Sequence, residues 1–166
     1  MNIRSETPAD VAEIHALHAA CFPSPAEARL VDELRADGDL SLSLVASDGA
    51  KVVGHVAFSP VTVPGLNAAL GLAPVAVLAS HRRRGIAAHL IQEGLRLSLE
   101  GGTPLAVVLG DPAYYARFGF VPAFPHGLSD EYGGGNAFQV LELAPHALSA
   151  CEGTVRYAAA FARLAT

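Results

Sequence analysis

The chain contains few cysteines, few charged residues and no tryptophan. Its two cysteines, Cys21 and Cys151, are too few for a disulfide framework and favour a reducing compartment. No apolar run reaches the roughly 20 residues that a membrane-spanning helix needs. Residues 1–10 are mixed and polar, without a signal-peptide pattern. We therefore expect a soluble, cytoplasmic protein that does not bind to a membrane.

The overall composition is hydrophobic and mildly acidic. Hydrophobic residues make up 51% of the 166 residues and charged residues only 16%, the opposite of a disordered chain. The formal net charge of −5 argues against non-specific nucleic-acid binding, which depends on neutralising phosphates. The length suits a single domain over residues 1–166, and no repeat or linker divides it.

Several kinds of site lack their sequence patterns. His15, His18 and Cys21 are spaced three residues apart, but no second cluster supplies the further ligand that a metal site needs, so no metal is expected. Neither cysteine has a setting typical of a nucleophile. The chain also lacks the phosphate loop G-x-x-x-x-G-K-[ST] and the G-x-S-x-G turn of hydrolases.

The hydrophobic pattern alternates between strand-like and helix-like segments. Strands are predicted at residues 1–5, 40–47, 51–60, 70–78, 105–109, from 120, and at 137–143, where the last strand completes the domain. Helices are predicted at residues 7–20, 25–36, 84–99 and 111–119. This order predicts an α/β (α+β) domain with a mixed sheet.

An arginine-rich segment lies between an apolar strand and an amphipathic helix. Residues 75–90 read VAVLASHRRRGIAAHL, so the predicted helix opens on R-R-R-G-I-A. Cations are mildly unfavourable at a helix N-terminus unless an anion binds there, and the free amides of that end suit a phosphate. Gly85 and Ala87 let a ligand approach the backbone. A solvated basic helix start with an incidental glycine is the alternative interpretation.

A second motif, LGDPAYYARFGF, covers residues 109–120. Asp111 and Pro112 are typical of a helix start, and Gly119 of its end. Aromatic side chains beside a core often serve packing, and that is the favoured interpretation of Tyr114. Tyr115 has a further chemical use, because a phenol near pKa 10 can donate a proton to a thiolate within hydrogen-bond reach.

Together these segments resemble the GNAT superfamily of N-acetyltransferases. Residues 82–87 fit its R/Q-x-x-G-x-G/A motif, with Ala87 where many members have glycine. The stretches TPAD, EARLVDELR, LAPVAVLASHRRRGIAAHLI, VVLGDPAYYARFGF and TVRYAAAF are similar to the YhbS-like branch and cover most of the chain. The resemblance implies an acyltransferase (N-acetyltransferase) with acetyl-CoA as cosubstrate. It also implies a mostly antiparallel central sheet flanked by helices, with a bulged and splayed strand pair.

The resemblance further implies roles for particular residues. Backbone amides from Arg83 to Ala88 would hold the CoA pyrophosphate, and Tyr115 would be the general acid for the departing thiolate. Pro74 marks the strand bulge, because proline cannot donate to a sheet ladder. The pantetheine arm would pair just after it. The cofactor-binding residues predicted in this way are Val75, Ala76, Val77, Arg82, Arg83, Arg84, Gly85, Ile86, Ala87 and Ala88.

The acceptor and the general base stay open at this point. A small-molecule amine or a protein amine would attack the thioester in a ternary complex, and the bulge amide would stabilise the oxyanion. A water chain is one route for the amine proton; candidate bases are Glu27, Glu33, His55, His126 and Asp130. The loop of residues 124–136 either covers the acceptor site or is a mobile surface loop. A non-catalytic acyl-CoA sensor is the alternative function, and GNAT domains often form homodimers.

Overall fold

The computed structural model describes residues 1–164. The strands within them are β1 (Asn2–Ser5), β2 (Leu42–Asp48), β3 (Lys51–Pro60), β4 (Leu70–Val77), β5 (Leu105–Leu109), β6 (Val121–Pro122), β7 (Leu128–Asp130), β8 (Phe138–Glu142) and β9 (Gly153–Val155). The α-helices are α1 (Val11–Cys21), α2 (Ala26–Asp37), α3 (Ile86–Glu100), α4 (Pro112–Tyr115) and α5 (Ala159–Arg163). Short 3₁₀ turns, such as Pro8–Asp10 before α1, connect several of them.

Seven strands form one sheet, in the order β1-β2-β3-β4-β5-β8-β6. The pairs β1–β2, β2–β3, β5–β8 and β6–β8 are antiparallel, whereas β4 and β5 are parallel. The prediction of a mixed, mostly antiparallel sheet is therefore confirmed. β7 and β9 form a separate parallel pair.

The chain divides into two compact units. The first unit comprises Met1–Phe58, Pro74–Gly94 and the residues from Ala159 onward. Its core packs the apolar faces of α1 and α2 against strands β2, β3 and β4; the buried members are Ile14, Leu17, Val31, Val45, Val52 and Ala76. A capping box supports the start of this helical pair, because the Thr7 amide donates to the Asp10 carboxylate at 2.7 Å.

Two glycines of the first unit set how closely other groups can approach. A Cβ at Gly54 in β3 would lie 3.1 Å from Ile86 and Leu90 of α3, so a larger residue would push the helix outward. A Cβ at Gly94 of α3 would lie 2.2 Å from the Phe58 ring. Because glycine has no side chain, Gly54 and Gly94 allow α3 and β3 to lie this close together.

The second unit comprises Ser59–Ala73 and Leu95–Ala158. Its core joins β5, β8 and the β7–β9 pair; the buried members are Val61, Val63, Ala69, Leu105, Val107, Ala123, Leu128, Phe138, Val140, Cys151 and Val155. The prediction that the strand at 137–143 completes the domain is wrong, because β9 and α5 follow it. β9 has only three residues and pairs with β7, a strand that the glycine-rich loop conceals in the sequence.

Candidate active site

The parallel pairing between β4 and β5 is short. It covers three residue pairs and ends where Leu72 lies opposite Val108. Pro74 follows and is buried, and it has no N–H to donate to a ladder. β4 nevertheless continues to Val77. The pairing with β5 therefore ends before Pro74, and the last residues of β4 lie beyond it.

The end of β4 is tied to the segment that follows it. The carbonyl oxygen of Val77 accepts a hydrogen bond from Arg82 Nε at 3.0 Å and a weaker one from Cys21 Sγ at 3.4 Å. Arg82 is therefore engaged with the main chain, and its guanidinium fixes where the loop leaves the strand. Sequence reasoning missed Cys21, because its partner is 56 positions away.

The three arginines lie before helix α3 and not in its first turn. Arg82, Arg83, Arg84 and Gly85 are exposed, and the helix begins at Ile86, two residues later than predicted. Arg83 and Gly85 have φ angles of 64° and 76°, in the left-handed region. Such angles favour glycine and turn the chain sharply into the helix. A Cβ at Gly85 would meet no atom within 4 Å, so the space beside it is open.

The start of α3 has the properties of an anion site. The first helical hydrogen bond runs from the His89 amide to the Gly85 carbonyl at 3.0 Å. The amides of residues 86–88 therefore precede the helical ladder and have no acceptor within it. These amides, the helix dipole and the neighbouring guanidinium groups all favour a negatively charged ligand here.

A side-chain contact holds the same loop to the β2–β3 hairpin turn. His81 Nε2 lies 3.0 Å from Asp48 Oδ2, and His81 Nδ1 lies 2.8 Å from Ser80 Oγ. The hydrogen bond from His81 lowers the pKa of the Asp48 carboxyl. Sequence reasoning did not single out this pair, because nothing local in the sequence indicates that the hairpin turn and residue 81 meet.

In the second unit, Asp111 caps α4 as predicted. Its carboxylate accepts from the Ala113 amide at 3.0 Å, and its carbonyl accepts from the Tyr115 amide at 3.0 Å. Gly119, with φ of 97°, ends the turn that follows. The motif therefore folds into a tightly capped helical turn that fixes the backbone of Tyr115.

The Tyr115 side chain is buried, with 9% of its surface exposed. Its ring makes edge contacts with Tyr114 and Phe120 at centroid distances of 5.1 and 5.9 Å. Burial, with a smaller contribution from Tyr114, raises the pKa of Tyr115 to about 12. The phenol therefore keeps its proton at neutral pH. Tyr114 instead packs on the surface with the Arg117 guanidinium 4.1 Å from its ring centre.

The five side chains considered as general bases have different surroundings. His55 is fully buried in β3, and His126 is exposed in a short turn. Glu33 is 3.5 Å from Arg163, in an ion pair. One carboxylate oxygen of Glu27 is buried without a hydrogen-bond partner.

Asp130 has a structural role. Its carboxylate accepts hydrogen bonds from the amides of Gly134 at 2.7 Å and Tyr132 at 3.2 Å. It thereby folds the glycine-rich loop that was predicted to be either a cover or a mobile segment.

Comparisons with known proteins place this geometry in a family. An acetyltransferase (GNAT) domain model matches residues 2–123. The chain is 48% identical over 160 residues to the N-acetyltransferase YhbS of Escherichia coli K12, covering 95% of this chain and 96% of that one. It is similar to the structure of E. coli YhbS in complex with CoA, with a TM-score of 0.92 and 45% identity over 98% of this chain and 92% of that one. A GNAT family acetyltransferase from Brucella melitensis in complex with acetyl-CoA gives a TM-score of 0.81 and 38% identity over 96% and 97%.

These relatives define the class and then the family. The chain is an acyltransferase, specifically an N-acetyltransferase, whose cosubstrate is acetyl-CoA. It belongs to the GNAT acetyltransferase family. Within residues 1–164, no helix is long and apolar enough to cross a membrane. The same residues contain no group of three His, Cys, Asp or Glu side chains that could hold a metal ion.

Proposed function

We propose that the protein transfers the acetyl group of acetyl-CoA to an amine by direct attack within a ternary complex. The observation that carries the proposal is the end of β4 beyond its pairing with β5, followed by a left-handed loop and the first amides of α3. This arrangement offers unpaired strand groups to an extended amide chain and an anion site to a pyrophosphate.

The predicted cofactor contacts follow the chain in order. Val75, Ala76 and Val77 would pair with the pantetheine arm. Arg82 would mainly support the loop, because its guanidinium already bonds the Val77 carbonyl. Arg83 and Arg84 would add positive charge, and the backbone of Gly85 to Ala88 would hold the pyrophosphate. The open space beside Gly85 suits a phosphate that approaches the main chain.

The reaction needs both a proton acceptor and a proton donor. The neutral amine nitrogen attacks the thioester carbonyl and forms a tetrahedral oxyanion, which backbone amides stabilise. Collapse of this intermediate breaks the C–S bond and forms the amide. The nitrogen loses one proton, and the sulfur leaves as a thiolate that accepts a hydrogen bond.

We assign Tyr115 as the donor to the thiolate. At a pKa of about 12 it is a weaker acid than an exposed phenol, so complete transfer to a free thiolate would be uphill. Its hydroxyl instead stabilises sulfur as negative charge develops, and this hydrogen bond strengthens in the transition state.

Several further features belong to the same proposal. We propose that residues 1–166 act as one catalytic domain in the cytoplasm, without nucleic-acid or membrane partners. The acceptor is a small-molecule amine or a protein amine, and the protein can form a homodimer. A sensor that binds acyl-CoA without turnover is the alternative function, and the retention of Tyr115 favours the enzyme.

The cofactor site is tested by calorimetric titration with acetyl-CoA. The Gly85→Glu variant puts a carboxylate where the pyrophosphate should lie, so binding should weaken by more than about tenfold. Gly38→Glu is the matched control, because Gly38 has a similar φ of 77° and equally open surroundings. If the wild type binds no acyl-CoA, or if both variants bind as the wild type does, the proposed site is wrong. If the wild type binds but acetylates no amine in a broad panel, the sensor function is favoured.

A further inference from the structure

Gln139 is a buried polar side chain that the proposed chemistry does not use. It lies in β8, with 1% of its surface exposed, opposite Val108 of β5 on one side and Pro122 of β6 on the other. An amide in such a place destabilises the fold unless it is hydrogen-bonded. Its bonds therefore indicate why a polar residue occupies this position.

The side-chain nitrogen of Gln139 holds the point where β5 ends. Nε2 donates to the carbonyl of Gly110 at 3.1 Å and to that of Ala137 at 3.2 Å. The Gly110 amide donates to the same Ala137 carbonyl at 2.9 Å. Both side-chain protons are thus used on two main-chain acceptors, and the Gly110 peptide is held through its N–H and its C=O.

The side-chain oxygen of Gln139, in contrast, makes no such hydrogen bond. Gln139 Oε1 is buried without a hydrogen-bond partner among the described residues. A buried acceptor without a partner destabilises the fold. An apolar side chain of the same size would have no unsatisfied oxygen. The two hydrogen bonds to the main chain are therefore what favours a polar residue at position 139.

Gly110 is in turn close to Tyr115. A Cβ at Gly110 would lie 2.5 Å from Cε2 of the Tyr115 ring, so the ring packs directly on the glycine backbone. Gly110 also precedes Asp111, whose carboxylate and carbonyl cap α4. A shift of the Gly110 peptide would therefore move both the surface on which the ring packs and the cap that fixes its backbone.

We propose that Gln139 is a positioning residue for Tyr115, acting by holding the Gly110 peptide against the tyrosine ring. The inference rests on the proposed role of Tyr115 in catalysis. The contact chain runs from Gln139 Nε2 through Gly110 to the ring, and all of it lies within the second unit. In the proposed reaction Gln139 itself contacts no reacting atom.

The first test needs no acceptor substrate. Gln139→Met keeps the side-chain length and removes both hydrogen bonds, and Val140→Ala is the control, because it disturbs the same strand and core without touching Gly110. Residue-resolved hydrogen exchange should be faster by about tenfold at Gly110, Ala113 and Tyr115 in Gln139→Met than in Val140→Ala. Equal exchange at these amides in both folded variants overturns the inference. If Gln139→Met does not fold, Gln139→Glu, which faces the two carbonyls with oxygen, is compared in its place.

The second test uses any amine that the wild type acetylates. Gln139→Met should lower kcat by about tenfold with little change in the KM for acetyl-CoA, because it misplaces a donor and leaves the cofactor loop intact. In the Tyr115→Phe background the same change should have almost no effect on kcat. A full additional loss in that background overturns the inference and leaves the proposed function standing. If the wild type neither binds acetyl-CoA nor acetylates an amine, the proposed function fails, while the exchange experiment still decides the positioning role.

Discussion

His18 Nε2 and His55 Nδ1 share a hydrogen bond of 2.8 Å in the core of the first unit, where both side chains are fully buried. His55 Nε2 continues to Ser43 Oγ at 2.8 Å, and Ser43 donates to Glu6, which also accepts two bonds from Arg35. His18 Nδ1 is buried without a partner. The network is therefore best satisfied when both imidazoles are neutral and each Nε2–H donates toward Glu6.

Acidification should weaken the fold through these two histidines. Burial lowers the pKa of His18 to about 4 and that of His55 well below its usual value. Because the folded-state pKa values lie below the unfolded value near 6.5, their stabilising effect is present above pH 6.5 and is lost as the pH falls toward 4. Each proton costs up to about 1.4 kcal/mol of unfolding free energy per pH unit in this window.

The measurement is the urea midpoint between pH 7.5 and 5, above the range where carboxylates such as Glu6 contribute. His18→Leu should flatten the pH dependence, whereas replacing the exposed His126 by Gln should leave it as in the wild type. A wild-type midpoint that does not change over this range would contradict the neutral network.

Tyr115→Phe should reduce kcat by about 100-fold, because the thiolate loses its hydrogen-bond donor in the transition state. The dissociation constant for acetyl-CoA should not change. Tyr114→Phe is the control, since the Tyr114 ring keeps its contact with Arg117. Steady-state kinetics with an accepted amine decide the point, and equal rates for all three proteins would remove Tyr115 from the mechanism.

Asp48→Ala should weaken acetyl-CoA binding by up to about fivefold, the range expected when one exposed charged contact is lost. The reason is indirect, because His81 no longer ties the arginine-rich loop to the β2–β3 turn. Calorimetry gives the affinity. Glu100→Gln removes a comparable exposed ion pair at the far end of α3 and should have no effect. Equal affinities of the two variants would show that the Asp48 contact does not shape the cofactor loop.

Gly94→Ala should lower the free energy of unfolding by about 1–3 kcal/mol, because the new methyl group overlaps the Phe58 ring. The better helix propensity of alanine offsets only about 1 kcal/mol of this loss. Phe58→Leu makes room, so the double variant should be less destabilised than the sum of the single changes. Additive losses in urea denaturation would mean that the two residues do not interact.

Local patterns predicted most of the larger elements. The all-apolar run at Leu105–Leu109 and the periodic stripe of α3 depend on neighbouring residues only, and the structure contains both with similar bounds. The β7–β9 pair was missed because three-residue strands carry no periodic signal. The two strands are also far apart in the sequence, since Leu128 lies opposite Gly153, so no local pattern indicates that they pair.

The sequence predicted where the candidate site lies, but not the backbone conformation and the long-range hydrogen bonds that hold it in place. The motif indicated the cofactor loop and Tyr115, and their roles stay predictions. The left-handed Arg83 could not be foreseen, because most residues in that region of φ are glycine or asparagine. The bonds from Gln139 to Gly110 and from His18 to His55 join residues 29 and 37 positions apart, and nothing short-range in the sequence reports them.

The first unit is assembled from three separate stretches of chain, and this affects how it folds during synthesis. α5 belongs to it and contacts α2, with Arg163 paired to Asp37 and Glu33. The stretch Met1–Phe58 leaves the ribosome long before that helix is made. The part of α2 that contacts α5 therefore stays uncovered until synthesis has passed the whole second unit, and the earliest part of the protein to be made is among the last to be completed.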